Sequence, residues 1–316
     1  MEIDTILKRM TLEDKIALCS GENFWETKAY EKYGIPALFM CDGPHGLRKQ
    51  ERGGGADMLG VNESRPATCF PAEVTTAGSW DPALLEEIGA AAGEEARDQG
   101  VGLVLGPGAN LKRNPLCGRN FEYYSEDPLV SGKAAAAITL GVQSHPGKGT
   151  TIKHFAANSQ EDNRYFTNSH ISERAIREIY LKGFEIAVKE AQPLSIMTSY
   201  NLLNGVHTAN CRDLIQAAAR DEWGFRGFVM TDWFTSQSSP DLMGGSHKVI
   251  YPISASTGCI YAGNDVQMPG CQRNVDDIVR AVESGEEIDG YRITLADLQF
   301  NAANVIRAAI QTARKK

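Results

Sequence analysis

Asp232 stands at the end of an apolar run, GFVMTDW, with Trp233 directly after it. A carboxylate in that position suits a nucleophile, provided nearby cations or hydrogen-bond donors keep it ionised. Candidate partners sit at the ends of similar runs. Lys153 and His154 fall late in TTIKHF, Asp42 and Arg48 lie in DGPHGLR, and Tyr200 follows MTS. Arg119 lies in CGRNFEYYSEDP and Arg164 in QEDNR. Fixed charged donors and acceptors match the hydroxyls of a sugar ring, and Trp233 could face that ring. Hydrolysis of a glycosidic bond normally needs two carboxyl groups, a nucleophile or base and a proton donor to the leaving oxygen. Asp232 fits the first role. A competing chemistry is a Schiff base on Lys153, which requires a desolvated lysine of lowered pKa. A lysine beside a histidine and among polar donors reads better as a charged donor to hydroxyls. Taken singly, Arg48 and Arg164 read equally well as surface charges or structural ion pairs.

These residues need a scaffold that brings them together. Short apolar runs occur at 35–41, 101–106, 150–155, 194–200, 227–231 and 265–268, and helix-like stretches at 82–99, 128–143, 172–190, 213–223 and 275–284 alternate with them. Asp81-Pro82 sets a cap residue before a first-turn proline. Strand and helix signals in alternation imply parallel strands with crossover helices. That many units suit an α/β barrel of the (β/α)8 type, irregular or not, in a single domain over residues 1–316. Asp42, Lys153-His154, Tyr200 and Asp232 then fall at strand C-terminal ends, the face on which barrels carry their sites. The segment 234–262 is rich in Ser and Gly without helical period and reads as a long loop bordering that face. The stretch 293–316 reads as a closing helix.

Bulk properties narrow the function classes. The chain has 316 residues, 42% of them hydrophobic, and a formal net charge of −8 with both signs interspersed. Such an acidic chain lacks the basic stripes that bind nucleic acid or anionic membranes. It has no signal-peptide pattern at its start and no run long enough to span a bilayer, which gives a cytoplasmic expectation. Seven scattered cysteines form no CxxC pair and six histidines no zinc-type spacing, so neither a metal nor an organic cofactor is implied.

The series MTLEDKIALCSG, GIPALFMCDGPHGLR, GRNFEYYSEDP, TTIKHFAANSQEDNR, SERAIREIYLKGFE, MTSYNLLNG, DEWGFRGFVMTDW and AGNDVQMPG resembles the ordered motifs of glycoside hydrolase family 3 β-glucosidases, from Thr11 to Gly270. The resemblance implies the N-terminal-type barrel domain and a retaining β-glycosidase acting on terminal β-D-glucosyl residues. It implies Asp232 as catalytic nucleophile. Asp42, Arg48, Arg119, Lys153, His154, Arg164 and Tyr200 would line the −1 sugar subsite, with Met197 and Trp233 as its apolar wall. The implied partner is a β-glucoside or other β-glycoside.

Two departures from the family pattern set further expectations. In the β-glucosidase branch the general acid/base is a Glu on an α/β-sandwich domain, and no such domain is expected in residues 1–316. The acid would then come from a separate sandwich domain, or, less simply, from a loop acid such as Asp241. A second copy of the chain is a further conceivable partner, and a catalytically impaired sugar-binding barrel is the alternative function. His170 in NSHISERA lies outside the KHFPGHG pattern of the single-domain branch and reads as structural. The segment 234–262 is also longer than most members carry.

Overall fold

Alternating strand and helix signals do build a barrel, but its closure is irregular. The computed structural model describes residues 3–50, 62–237 and 249–313. Its strands are β1 (Met40–Asp42), β2 (Leu103–Leu105), β3 (Gly149–Phe155), β4 (Asn168–Ser169), β5 (Ser195–Thr198), β6 (Leu202–Leu203), β7 (Val206–His207) and β8 (Phe228–Met230). The main sheet runs β1-β2-β3-β5-β8, every neighbouring pair parallel. Helical crossovers separate these strands: Pro82–Asp98, Pro128–Gln143, a stretch from Glu173 to Ala191, and Asp213–Glu222. Strands β4, β6 and β7 form a small separate sheet.

The run 265–268, expected as a further strand, instead makes single parallel bridges, Val266 to Met230 and Gln267 to Ser20. The reason lies in Asp265. Its Oδ2 accepts from the Val229 N–H at 2.7 Å, so a side chain takes a donor that a regular ladder would use. Antiparallel bridges Gly21–Thr27 and Glu26–Phe39 then lead back to β1 and close the ring. The expected strand at 35–41 likewise shrinks to β1.

The crossover helices carry the signals read in the sequence. Asp81 Oδ1 accepts from the N–H groups of Ala83 and Leu84 at 3.0 and 3.2 Å, ahead of the first-turn Pro82. Asp127 caps Pro128–Gln143 in the same way. These two helices cross closely because of glycine: a Cβ on Gly141 would lie 2.1 Å from the Glu86 carbonyl oxygen. The expected helix 172–190 is present with a π turn at Ile176–Tyr180. The closing helix is Leu295–Thr312, with a capping box between Thr294 and Asp297.

The reading of 234–262 as one loop needs correction, because Ser256–Ala262 is a helix. Small residues let it bury nearly every side chain, so it shows no amphipathic period. Asp241 lies outside the described residues. No helix among the described residues is long and apolar enough to cross a membrane.

Candidate active site

Asp232 follows β8 by two residues, and the closing segment fixes it there. The Thr231 N–H donates to the Val266 carbonyl and the Phe234 N–H to the Met268 carbonyl, both at 2.9 Å, while Thr231 Oγ1 accepts from the Met268 N–H at 2.9 Å. The Asp232 side chain is buried. Its Oδ1 accepts from the Trp233 N–H at 2.7 Å. Its Oδ2 is buried and has no hydrogen-bond partner among the described residues. Among the described residues, His154 Nε2 stands 3.5 Å from it and Arg119 Nη1 4.0 Å.

Lys153 and His154 come from within β3, not from its last residue. Consecutive strand residues normally point to opposite faces. Here the register of β3 with β5 shifts between Ile152 and Phe155, an irregularity that re-aims side chains, and both residues line the same cavity. Lys153 Nζ stands 3.3 Å from Asp42 Oδ1 and 3.6 Å from Glu122 Oε2. Burial opposes its charge, but the two carboxylates outweigh burial and raise its pKa. A Schiff-base lysine needs the opposite shift.

His154 is buried and neutral. Burial first, then the charges of Arg119, Lys153 and Arg164, hold its pKa well below the ordinary value. Arg119 Nη2 lies 2.9 Å from Nε2 and can only donate. Nε2 is therefore the acceptor, and the proton assigned to Nδ1 goes to the Tyr123 hydroxyl at 2.8 Å. From Tyr123 the chain of contacts runs through Asn158 to Glu161 and Arg164, the last two 2.8 Å apart. Arg119 and Arg164 are thus tied into one network.

The Asp42–Arg48 turn forms another wall. The Arg48 N–H donates to the Asp42 carbonyl at 2.8 Å, and Arg48 Nη2 stands 3.5 Å from Asp42 Oδ2. Gly43 has φ 139°, and a Cβ there would meet the Gly46 carbonyl oxygen at 1.8 Å. Lys153, Arg48 and Arg119 together outweigh the effect of burial on Asp42 and lower its pKa. Trp233 donates its Nε1–H to the Phe24 carbonyl at 2.9 Å, with the Trp25 ring 5.5 Å away. Arg164 stacks over the Tyr200 ring at 4.5 Å, and Tyr200 packs on Tyr165 at 4.1 Å.

All ten residues singled out in the sequence line one cavity of about 460 Å³: Asp42, Arg48, Arg119, Lys153, His154, Arg164, Met197, Tyr200, Asp232 and Trp233. Lining residues that sequence reasoning missed include Trp25, His45 and Glu122. Glu122 stood in the quoted GRNFEYYSEDP motif three residues after Arg119, and that spacing was the available signal. His45 stands 3.3 Å from the buried Glu73 carboxylate, which raises the histidine pKa. A larger hollow of about 700 Å³ lies around His207, Tyr251 and Tyr291. It has no comparable set of buried carboxylates and cations.

Fold and cavity define an α/β barrel with a charged pocket at its strand C-terminal face. The glycosyl hydrolase family 3 N-terminal domain matches residues 6–307, and the chain belongs to that family. It is 46% identical over 287 residues to thermostable β-glucosidase B of Acetivibrio thermocellus, covering 90% of this chain and 35% of that protein. It is 43% identical over 292 residues to an exo-α-(1→6)-L-arabinopyranosidase of Bifidobacterium breve, covering 90% and 38%. The solved β-glucosidase 3B of Thermotoga neapolitana in complex with glucose superposes with a TM-score of 0.83 at 37% identity, over 98% of this chain and 42% of that one. The chain spans between a third and two fifths of the length of these curated relatives.

Proposed function

We propose that this chain is the catalytic barrel of a retaining β-glycosidase that releases terminal β-D-glucosyl residues through a covalent glycosyl-enzyme on Asp232. The observation that carries this reading is Asp232 Oδ2, a buried carboxylate oxygen without a hydrogen-bond partner among the described residues, in a cavity of about 460 Å³ lined by charged donors, room enough for a sugar ring. Lys153, Arg119, Arg164, Asp42, Arg48 and His154 would hold the hydroxyls, and Met197, Tyr200 and Trp233 the ring faces. The glucosyl preference rests on the β-glucosidases among the relatives, with an arabinopyranosyl residue as the second reading on account of the Bifidobacterium enzyme.

The other carboxyls that line the cavity, Asp42 and Glu122, are both engaged with Lys153. Neither is free to protonate a leaving oxygen. We therefore place the general acid outside this lining, on an α/β-sandwich domain of the kind the family resemblance implies. The barrel alone would then form the covalent intermediate only from substrates whose leaving group needs no proton.

The test is labelling by a dinitrophenyl 2-fluoro-glucoside, followed by intact mass and peptide mapping. The expected result is one fluoroglucosyl unit on Asp232 and none on Asp232→Asn. A chain that binds glucose but is never labelled is a sugar-binding barrel without turnover. Parallel dinitrophenyl glucoside and arabinopyranoside rates decide the sugar.

A further inference from the structure

Glu122 is buried, 5% exposed, between two cations of the site. Its Oε1 accepts from Arg119 Nε, and its Oε2 stands 3.6 Å from Lys153 Nζ. Burial opposes its ionisation, but Lys153 and Arg119 outweigh burial and lower its pKa. The carboxylate is thus charged, and both its oxygens face cations.

Its effect is clearest on the Arg119 fork. Nε goes to Glu122 and Nη2 to His154, which leaves Nη1 facing Asp232 Oδ2 at 4.0 Å, outside hydrogen-bond range. Lys153 is divided in the same way between Asp42 and Glu122. Without Glu122 the guanidinium would keep His154 as its one close anchor and could turn toward Asp232. An arginine bonded directly to a carboxylate occupies the lone pairs that a nucleophile must offer. Taking one negative charge out of this poorly screened site also lets the remaining cations act more strongly on Asp232.

Resting on the assignment of Asp232 as nucleophile, we propose that Glu122 is a positioning residue that holds Arg119 and Lys153 away from Asp232 and so keeps Oδ2 free to attack. Glu122 does not touch the sugar in this scheme. It also aims the two donors that do. An ion pair that served only the fold would leave the labelling rate and the glucose affinity of a folded Glu122→Gln variant unchanged, and that difference can be measured.

The experiment follows the labelling rate by dinitrophenyl 2-fluoro-glucoside against pH for wild type, Glu122→Gln and Glu122→Ala. Glucose affinity is measured by calorimetry in parallel, and Asp232→Asn reports on the underlying assignment. Gln keeps the shape and an acceptor for Arg119 Nε, while it loses the charge and turns an amide NH2 toward Lys153. Labelling of Glu122→Gln should slow by up to about a hundredfold, the scale of a misplaced reacting group. The acidic limb of its profile should move to lower pH, because the site loses one negative charge. Glu122→Ala should be slower again. An unmoved acidic limb in Glu122→Gln, whether the rate falls or not, overturns the proposal. If Asp232→Asn is still labelled, the nucleophile assignment has failed on its own. Glucose affinity then still reads Glu122: weaker binding by Glu122→Gln supports its positioning of Lys153 and Arg119, and unchanged binding refutes it.

Discussion

Asp232 Oδ2 and His154 Nε2 stand 3.5 Å apart with no hydrogen bond between them. Arg119 is the cause, since its Nη2 donates to Nε2 at 2.9 Å and leaves that nitrogen no proton to offer Asp232. The histidine therefore serves the site as a neutral acceptor that orients the arginine, and the carboxylate oxygen stays unpaired.

A neutral buried His154 has a consequence for stability. Its pKa is lowered in the folded chain, by burial first and the neighbouring cations next, while the unfolded value is about 6.5. Below about pH 6.5 the unfolded chain takes up a proton that the folded one refuses, so stability present above that pH is lost as pH falls, by about 1.4 kcal/mol per unit. His207, also lowered by burial, adds a slope of the same sign. His154→Gln keeps an acceptor and a donor but does not titrate. Urea unfolding between about pH 7 and 5 should show a flatter dependence for this variant; equal slopes would mean that His154 is charged in the fold.

Arg119→Lys should behave as a severe change, because an ammonium cannot reproduce the fork that reaches Glu122 and His154 together. Each charge-assisted bond lost contributes about 1.5–3 kcal/mol. Glucose affinity and the labelling rate should both fall by at least about tenfold, and calorimetry on a folded variant with wild-type affinity would exclude Arg119 from the site.

The polar ends of apolar runs were legible because strand and chemistry coincide there: Asp232 after β8 and Asp42 at the end of β1 needed only the pattern. For Glu122 the sequence offered only its spacing from Arg119 among aromatic neighbours. Its burial against Lys153 arises only where its turn meets β3, some thirty residues on. Trp25 was missed for the same reason, since its place beside Trp233 depends on the way the ring closes. The closing segment 265–268 had the apolar look of a strand, yet the Asp265 carboxylate replaces a ladder bond. Pattern counts apolar residues and does not see that exchange.

Gly43→Ala should damage the site through the backbone. Gly43 has φ 139°, and the added methyl would overlap the Gly46 carbonyl oxygen, so the turn that presents Asp42 and Arg48 must shift. Strain of this kind costs about 1–3 kcal/mol, and glucose binding should weaken with it. Gly34→Ala is the matched control, with φ 71° and nothing within 4 Å of the new Cβ. It should cost stability, about 1 kcal/mol, and leave glucose affinity unchanged. Equal affinity losses in the two variants would show that the Asp42–Arg48 turn has no special part in binding.

Asp265 anchors the closing segment that holds Asp232 in place. Asp265 is fully buried, accepts from the Val229 N–H and Arg220 Nη2 at 2.7 Å each, and takes Asn304 Nδ2 at 3.0 Å. Burial nevertheless exceeds these contacts, and its pKa is pushed up to about 6. Asp265→Ala removes the shape and all three bonds and strands Arg220, whose side chain is 8% exposed. Breaking a buried pair from one side costs about 3–5 kcal/mol. Asp265→Asn keeps the shape and one acceptor oxygen, and it removes a charge that the fold tolerates poorly. Because the folded-state pKa lies above the unfolded value of about 3.9, the share of stability tied to the protonated carboxyl is complete below that value and is lost as pH rises through about 6. The Asn variant, neutral at every pH, escapes that loss. Near neutral pH it should therefore cost less than half of what Ala costs, and the labelling rate at Asp232 should follow the same order. Urea unfolding of the three proteins near neutral pH decides the point: an Asn variant as unstable as Ala would mean that the charged pair with Arg220, and not the shape of the carboxyl, holds the barrel closed.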